Sequence, residues 1–155
     1  MDAVERAPVA QKRPPLLNRA MSRIIRSPVS GLVDRGVMLV TVYGRRSGTP
    51  YTLPVQYMKD GDVVWVLVGD SEQKTWWRNL RDEAPVEVVL RHRVRHGRGR
   101  AHTFDQHPET VEEGLHRYRE RFRGMARALG IRAGDEQSFT RVAARVVVVR
   151  ILLED

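Results

Sequence analysis

Residues 37–68 read VMLVTVYGRRSGTPYTLPVQYMKDGDVVWVLV, and their apolar pattern predicts three consecutive β-strands. The run Val37–Tyr43 is apolar and rich in β-branched residues, which favour strands. Tyr51–Lys59 alternates, and one of its faces carries Leu53, Val55 and Tyr57. Asp60-Gly61 is a strong hairpin signal. Val63–Val68 is apolar on both faces, which predicts a central strand.

The elements around this stretch extend the same antiparallel pattern. On its C-terminal side we predict a short helix, a hairpin of two strands, a long helix and a last strand, at Lys74–Asp82, Pro85–Leu90, Val94–Phe104, Glu109–Leu129 and Ala143–Leu153. Six strands joined mostly by tight turns predict an α+β fold in which a six-stranded antiparallel sheet closes into a small barrel with flanking helices.

The first residues of the chain have a different character. Residues 1–15 are polar and rich in proline, and we expect a flexible tail. From Leu16 to Arg26 the apolar residues recur with helical spacing and the arginines lie off that stripe, which predicts an amphipathic helix. A shorter turn of helix is expected to end near Gly36. Residues 16–155 would then form one domain.

Composition limits the classes of function. The 155 residues contain no cysteine, so disulfides, thiolate nucleophiles and cysteine-bound metals are excluded. The formal charge is +8, and only three of the 27 lysines and arginines are lysines. Arginine binds phosphate and carboxylate groups with two parallel hydrogen bonds, so we expect an anionic partner. No apolar signal core or membrane span is seen, and we expect a cytoplasmic location.

The turn Gly44-Arg45-Arg46-Ser47-Gly48 joins the first two predicted strands and is a candidate anion site. Two glycines let the backbone turn sharply and present its amides, while two arginines supply positive charge. A hairpin with solvated arginines is the alternative. The segment lacks the Walker lysine pattern, which argues against a nucleotide-triphosphate loop.

A second motif is Trp76-Trp77-Arg78-Asn79-Leu80, preceded by Lys74. Neighbours on a helix differ by about 100°, so one indole is expected in the core and the other at a pocket edge. Both motifs follow the C-terminal ends of strands in one small sheet. They therefore suggest a cleft for an aromatic, phosphorylated ligand.

Residues 44–80, GRRSGTPYTLPVQYMKDGDVVWVLVGDSEQKTWWRNL, resemble the signature of the deazaflavin-dependent nitroreductase and quinone reductase family. That family has a Gly-Arg-basic-Ser-Gly turn, a strand with a proline and an aromatic residue, a D-G hairpin, an apolar strand and a Trp-aromatic-x-Asn-Leu segment. A looser match continues through Pro85–Val88 and the hairpin that ends at Ala101.

The resemblance implies a split β-barrel of the flavin-reductase type and coenzyme F-420 as hydride donor, with FMN as the alternative cofactor. It implies that Arg45, Arg46, Ser47 and Gly48 hold the cofactor phosphate. It further implies that the second strand and the short helix border the cofactor through Pro54, Tyr57, Lys74, Trp76, Trp77 and Asn79. The catalytic residue is unknown, and Tyr57 or solvent is the candidate proton source.

Two features depart from the family pattern. Members often carry an arginine three residues after the second glycine of the turn, where this chain has Tyr51. The loop before the tryptophans is the compact Asp70-Ser71-Glu72-Gln73 instead of a longer loop with two glycines. We expect the substrate side of the pocket to be reshaped.

The segment Arg91–Arg100 contains five arginines, and strand alternation places Arg91, Arg93 and Arg95 on one face. A solvated hairpin face is the simpler interpretation, because a nucleic-acid stripe normally includes stacking aromatics. The segment's histidines and His102 lie on a predicted hairpin with no carboxylate pattern beside them, so we expect no metal site.

These observations leave two main functions open. The first is a reductase that passes a hydride from reduced F-420 to a quinone, nitro compound or other small electron acceptor. The second is a non-catalytic split barrel that binds a deazaflavin, FMN or lipid-like ligand. A specific nucleic-acid partner is not expected, while a homodimer and a peripheral membrane contact through residues 16–26 remain alternatives.

Overall fold

The computed structural model describes residues 36–154. The predicted tail at 1–15, the amphipathic helix at 16–26 and the turn of helix before Gly36 lie outside this range. The described chain contains seven strands: β1 (Val37–Tyr43), β2 (Pro50–Gln56), β3 (Met58–Asp60), β4 (Val63–Val68), β5 (Ala84–Leu90), β6 (Arg93–Thr103) and β7 (Val147–Leu153). It also contains a 3-10 helix, Trp76–Leu80, and three α-helices: α1 (Pro108–Arg121), α2 (Arg123–Ala128) and α3 (Glu136–Ala143).

All seven strands form one curled antiparallel sheet in the order β2-β1-β5-β6-β7-β4-β3. The predicted α+β class and antiparallel pairing are confirmed, and the strands of the predicted hairpin after Pro85 lie within one residue of their expected bounds.

The prediction of six strands is wrong, because the expected strand Tyr51–Lys59 bends at Tyr57 and becomes two. Gln56 is the last residue of β2 and pairs with Val37 of β1. Met58 is the first residue of β3 and pairs with Trp65 of β4 at the other edge of the sheet. Between them the Tyr57 amide donates to the Gly36 carbonyl at 3.0 Å. The chain therefore changes strand partner at one corner, which curls the sheet and brings its edges together.

The inner face of the curled sheet holds the main core. Alternate residues of β1, β4, β5 and β7 meet there, including Met38, Val64, Val88 and Ile151. The prediction that β4 is central is wrong, since β4 lies between β7 and the short edge strand β3. Its outer face is nevertheless buried, because Trp65 packs in a second core with residues of α1 and α3.

Two helical predictions also need correction. The expected helix Glu109–Leu129 is interrupted at Phe122, whose backbone angles of φ −126° and ψ 61° are not helical. The Phe122 ring lies 5.2 Å from the Tyr118 ring, measured between centroids. Ala143 ends a helix instead of beginning the last strand, and Asp135 caps that helix by accepting from the Ser138 amide at 3.1 Å.

Small residues on β6 make room for the 3-10 helix. A Cβ at Gly99 would lie 3.3 Å from both Leu80 of that helix and Val86 of β5. The helix can therefore pack closely against the inner face of the sheet, which fixes the segment containing Trp76, Trp77 and Asn79.

Candidate functional site

The Gly44–Thr49 turn is closed by its own hydrogen bonds. The Gly44 amide donates to the Thr49 carbonyl at 2.9 Å, and the Gly48 amide donates to the Gly44 carbonyl at 2.9 Å. The Ser47 hydroxyl accepts from the Thr49 amide at 3.2 Å. Gly48 has φ +67°, a left-handed conformation that glycine adopts without steric cost. The turn is therefore a compact, preformed loop.

These bonds decide which amides face outward. We expected the Ser47 and Gly48 amides to contact an anion, but the Gly48 amide is already engaged with Gly44. Within residues 36–154, the amides of Arg46 and Ser47 have no hydrogen-bond acceptor. Gly48 therefore shapes the turn in this conformation, while Arg46 and Ser47 present donors to solvent.

The structure brings the turn and the 3-10 helix together, as the sequence predicted. The Arg45 amide donates to Asn79 Oδ1 at 3.2 Å. Asn79 Nδ2 in turn donates to the Trp76 carbonyl at 3.1 Å. The Arg45 guanidinium lies 3.3 Å from Asp82, but both side chains are at least half exposed, so this ion pair is weak.

Both tryptophans are buried, and Trp77 also borders a cavity of about 450 Å³, as the sequence predicted for one of the two indoles. Trp76 and Trp77 are each 7% exposed and belong to the inner core. The Trp77 indole donates to the Ser71 carbonyl at 2.8 Å, so the compact loop covers it. They anchor the 3-10 helix at this end of the sheet.

The surface around the turn is rich in exposed cations. Arg46, Lys74, Arg78 and Arg81 are exposed, and Lys74 follows a loop in which its own amide donates to the Asp70 carbonyl at 3.1 Å. Tyr51 lies opposite Val42 and is 57% exposed beside the turn. This end of the sheet thus combines positive charge, free amides and an open aromatic ring.

Pro54 and Tyr57 do not join this group. Pro54 lies opposite Leu39 on the outer face of β2 and is exposed. Tyr57 is buried with Leu53 and Val55, as the alternation predicted, but at the far end of the sheet. The seven residues of β1 separate that end from the turn, and at about 3.3 Å per residue this is about 20 Å.

A large cavity lies at the Tyr57 end. Its volume is about 1180 Å³, and its cationic lining consists of Lys59, Arg91, Arg93, Arg95, Arg117 and Arg121. Arg93 and Arg95 share one face of β6, as predicted, whereas Arg91 joins the lining from the turn before that strand and not from the strand itself. Sequence reasoning missed Lys59, Arg117 and Arg121 as their neighbours, because these come from β3 and α1 and share no motif.

The histidines give no metal site in the described chain. No group of three histidine or acidic side chains there could hold a metal ion. His102 and His107 are ring neighbours with centroids 4.8 Å apart. Burial, followed by the charges of His107, Arg100 and Arg150, lowers the pKa of His102 to about 4. His102 therefore favours the neutral imidazole.

Within residues 36–154, no helix is both long enough and apolar enough to cross a membrane. The predicted membrane contact at residues 16–26 lies outside this range.

Comparison with known proteins identifies the family. The sequence profile described as F420H(2)-dependent quinone reductase matches residues 18–149. No curated protein matches the chain.

Solved structures share the split-barrel fold at low sequence identity. A structure described as a domain-swapped dimer is 16% identical, covers 90% of this chain and 98% of its own, and has a TM-score of 0.54. An F420-H2 dependent reductase, FDR-A, is 17% identical, covers 77% of this chain and 95% of its own, and has a TM-score of 0.53. The heme storage protein HutZ from Vibrio cholerae is 11% identical, covers 84% of this chain and 91% of its own, and has a TM-score of 0.51.

Proposed function

The chain belongs to the F420H(2)-dependent quinone reductase family, and on that premise we propose that it is a reductase that uses coenzyme F-420. Its acceptor would be a quinone or another electron-poor molecule such as a nitro compound. Reduced F-420 supplies a hydride from C5 of its deazaflavin ring when it is bound. The chain itself would bind and orient the cofactor and the acceptor, and it would exclude competing reactions.

The hydrogen bond between the Arg45 amide and Asn79 carries this proposal. It joins the two motifs that would hold opposite parts of one phosphorylated aromatic molecule. The residues of the turn fit a phosphate, because the Arg46 and Ser47 amides point to no acceptor in the described chain and two guanidinium groups lie beside them. Arg45 needs only to leave an exposed ion pair with Asp82 in order to bind a phosphate.

We assign roles to the site residues accordingly. Arg45, Arg46 and Ser47 would bind the phosphate, and Lys74 would add positive charge nearby. Asn79 would position the turn. Trp76 and Trp77 would support the 3-10 helix from the core, because their burial leaves little surface for stacking on a ring.

Solvent is the proton source in this proposal. Tyr57 lies about 20 Å from the turn by the length of β1, so its hydroxyl would not reach a molecule held there by its phosphate. Pro54, on the outer face of β2, would contact the cofactor only if the cofactor extended around the sheet edge.

A non-catalytic binding protein is the second candidate, and the burial of both tryptophans favours it. A reductase needs an ordered ring and an open acceptor site beside it, whereas a storage protein needs only affinity. The fold does not distinguish the two, because it is shared by a reductase and by a heme storage protein. Under this alternative the ligand would be a deazaflavin, FMN or a lipid-like molecule.

A homodimer is also proposed, because one similar structure is described as a domain-swapped dimer. Light scattering on the purified full chain would give its mass directly, with twice the monomer mass expected.

Reconstitution tests the proposed function. The full chain is incubated with reduced F-420 and menadione, and oxidation of the deazaflavin is followed by absorbance. Turnover that requires both protein and menadione is expected, with FMN giving weaker binding in a parallel titration. Binding without menadione-dependent oxidation would support the storage function. Absence of any F-420 binding would overturn the reductase, and the storage function would be overturned as well if FMN and lipid-like ligands also failed to bind.

A further inference from the structure

We propose that the cavity at the Tyr57 end of the sheet is a second binding site, one that takes a small organic polyanion. We call it the Arg93 cavity and define it by Tyr57, Leu90, Arg91, Arg93, Arg95 and Arg117. The length of β1 places it about 20 Å from the Gly44–Gly48 turn. It is therefore independent of the phosphate site proposed above, and this inference does not rest on the proposed function.

Within residues 36–154, most of the positive charge around the Arg93 cavity has no acidic partner. Six of its lining residues are lysine or arginine, and Glu120 is the single acidic one among the lining residues described. Arg117 is neutralised by Asp60 at 3.1 Å and by Glu113 at 3.0 Å. By contrast, Arg91 and Arg93 have no acidic partner within residues 36–154. Like charges gathered around one concave space repel each other, and a bound anion removes that repulsion.

Two other cations are held in place without losing their charge. Arg95 donates to the Glu154 carbonyl at 3.3 Å, and the Lys59 ammonium donates to the Gly61 carbonyl at 2.6 Å. A backbone carbonyl orients a cation but does not neutralise it. The cavity therefore presents several ordered, uncompensated donors.

The backbone beside the cavity is strained where it places Arg91. Leu90 pairs directly with Arg93, so Arg91 and His92 form a two-residue turn. Their φ angles are +46° and +66°, the left-handed region in which asparagine or glycine is favoured and other residues cost about 1–2 kcal/mol each. Such strain is common at functional sites. Here it keeps an arginine side chain in the cavity lining.

The shape and lining indicate the class of ligand. A volume of about 1180 Å³ is large enough for an extended organic molecule. Arg93 and Arg95 lie on one face of β6, two residues and therefore about 7 Å apart. Guanidinium groups bind phosphate and carboxylate groups in pairs of hydrogen bonds. A ligand that fits this lining carries two or more phosphate or carboxylate groups for the guanidinium groups. It also has an apolar part that packs against Tyr57 and Leu90.

A nucleic acid fits less well, because the arginines of β6 do not form one stripe. Arg93 and Arg95 face the cavity, whereas Arg98 and Arg100 are two exposed residues on the opposite face of the strand. Arg98 is also paired with Glu83 at 3.1 Å. A backbone of phosphates following one surface would contact only part of this set.

Calorimetry with the full chain tests the site, using tripolyphosphate and citrate as probes. We expect saturable binding of one probe molecule per chain, and the tighter of the two identifies phosphate or carboxylate as the preferred group. The variant Arg91→Asn with Arg93→Gln should bind at least tenfold more weakly. The control Arg98→Gln with Arg100→Gln removes the same charge from the opposite face of β6, and its affinity should stay within threefold of the native value.

A single variant separates binding from folding. Arg91→Gly relieves the left-handed strain, so its melting temperature should rise by a few degrees while its probe affinity falls. The proposal is overturned if both double variants lose affinity equally, if binding does not saturate, or if duplex DNA displaces the probe at similar concentrations. F-420 binding, measured separately, should be unchanged in Arg91→Asn with Arg93→Gln.

Discussion

The Arg45 amide and the Asn79 side chain are joined by a hydrogen bond of 3.2 Å across 34 residues of sequence. Asn79 also donates to the Trp76 carbonyl at 3.1 Å. One amide side chain thus connects the Gly44–Gly48 turn to a helix whose tryptophans are anchored in the core. The position of the turn therefore depends on Asn79, although Asn79 itself carries no charge.

The variant Asn79→Ala should weaken F-420 binding by about fivefold, because the lost hydrogen bond is worth about 1 kcal/mol and its loss frees the turn to move. Fluorescence titration with F-420 measures the affinity. Gln73→Ala, at an exposed position in the preceding loop, is the matched control and should bind as the native chain does. Equal affinities for native and Asn79→Ala protein would show that the turn does not need this contact.

The double variant Arg45→Ala with Arg46→Ala tests the phosphate site directly. Hydrogen bonds to a charged group are worth about 1.5–3 kcal/mol each, so an affinity loss of at least tenfold is expected. Arg123→Ala with Arg127→Ala removes two exposed arginines from α2 and controls for the change in net charge. If F-420 binds the Arg45 and Arg46 variant unchanged, the phosphate must lie elsewhere.

Local sequence patterns correctly predicted those strands whose own residues favour a strand. Strands β1, β4, β5 and β6 follow from β-branched or alternating residues, and the meeting of the turn with the 3-10 helix followed from the strand order. The bend at Tyr57 could not be read locally, because it depends on the Gly36 carbonyl and on pairing with both sheet edges.

The two missed helical features differ in kind. The break at Phe122 goes with long-range packing, since its ring packs against the second core and a Cβ at Gly36 would lie 3.3 Å from it. Helix α3 did carry a signal, because Asp135 caps it and its buried residues recur at helical spacing. The Arg93 cavity had no sequence signal beyond β6, because its remaining cations come from elements that only the folded chain brings together.

Two glycines in helices should respond oppositely to alanine. A Cβ at Gly114 of α1 would lie 2.7 Å from both Cγ atoms of Val148 in β7. Since both residues are tightly packed, Gly114→Ala should lower the free energy of unfolding by about 1–3 kcal/mol. Gly124 of α2 has no neighbour within 4 Å of such a Cβ, so Gly124→Ala should raise it by up to about 1 kcal/mol.

Urea unfolding of both variants provides the measurement. Stabilisation by Gly114→Ala would mean that α1 can move away from β7 without loss of packing. Destabilisation by Gly124→Ala would mean that α2 is held in a conformation that alanine disfavours.

His102 should make the fold sensitive to acid. Its ring is 9% exposed, and burial lowers its pKa from 6.5 to about 4. The unfolded chain therefore binds a proton more tightly than the folded chain does. The contribution of neutral His102 to stability is complete above pH 6.5, falls as the pH drops, and is lost near pH 4. Because one pKa unit corresponds to about 1.4 kcal/mol, this loss reaches at most about 3 kcal/mol.

Urea unfolding of native and His102→Gln protein at pH 7 and pH 4.5 isolates this contribution. Carboxylates titrate in both proteins, so the difference between the two pH dependences reports His102 alone. The glutamine variant should lose less free energy of unfolding between the two pH values than the native chain loses. His92→Asn removes an exposed imidazole from the β5–β6 turn and is the matched control for the loss of a histidine. If native and His102→Gln protein lost equal free energies of unfolding between pH 7 and pH 4.5, the acid sensitivity would lie in other groups. A buried imidazole that is neutral in the folded chain and protonated in the unfolded chain must make the native free energy of unfolding fall more steeply as the pH drops.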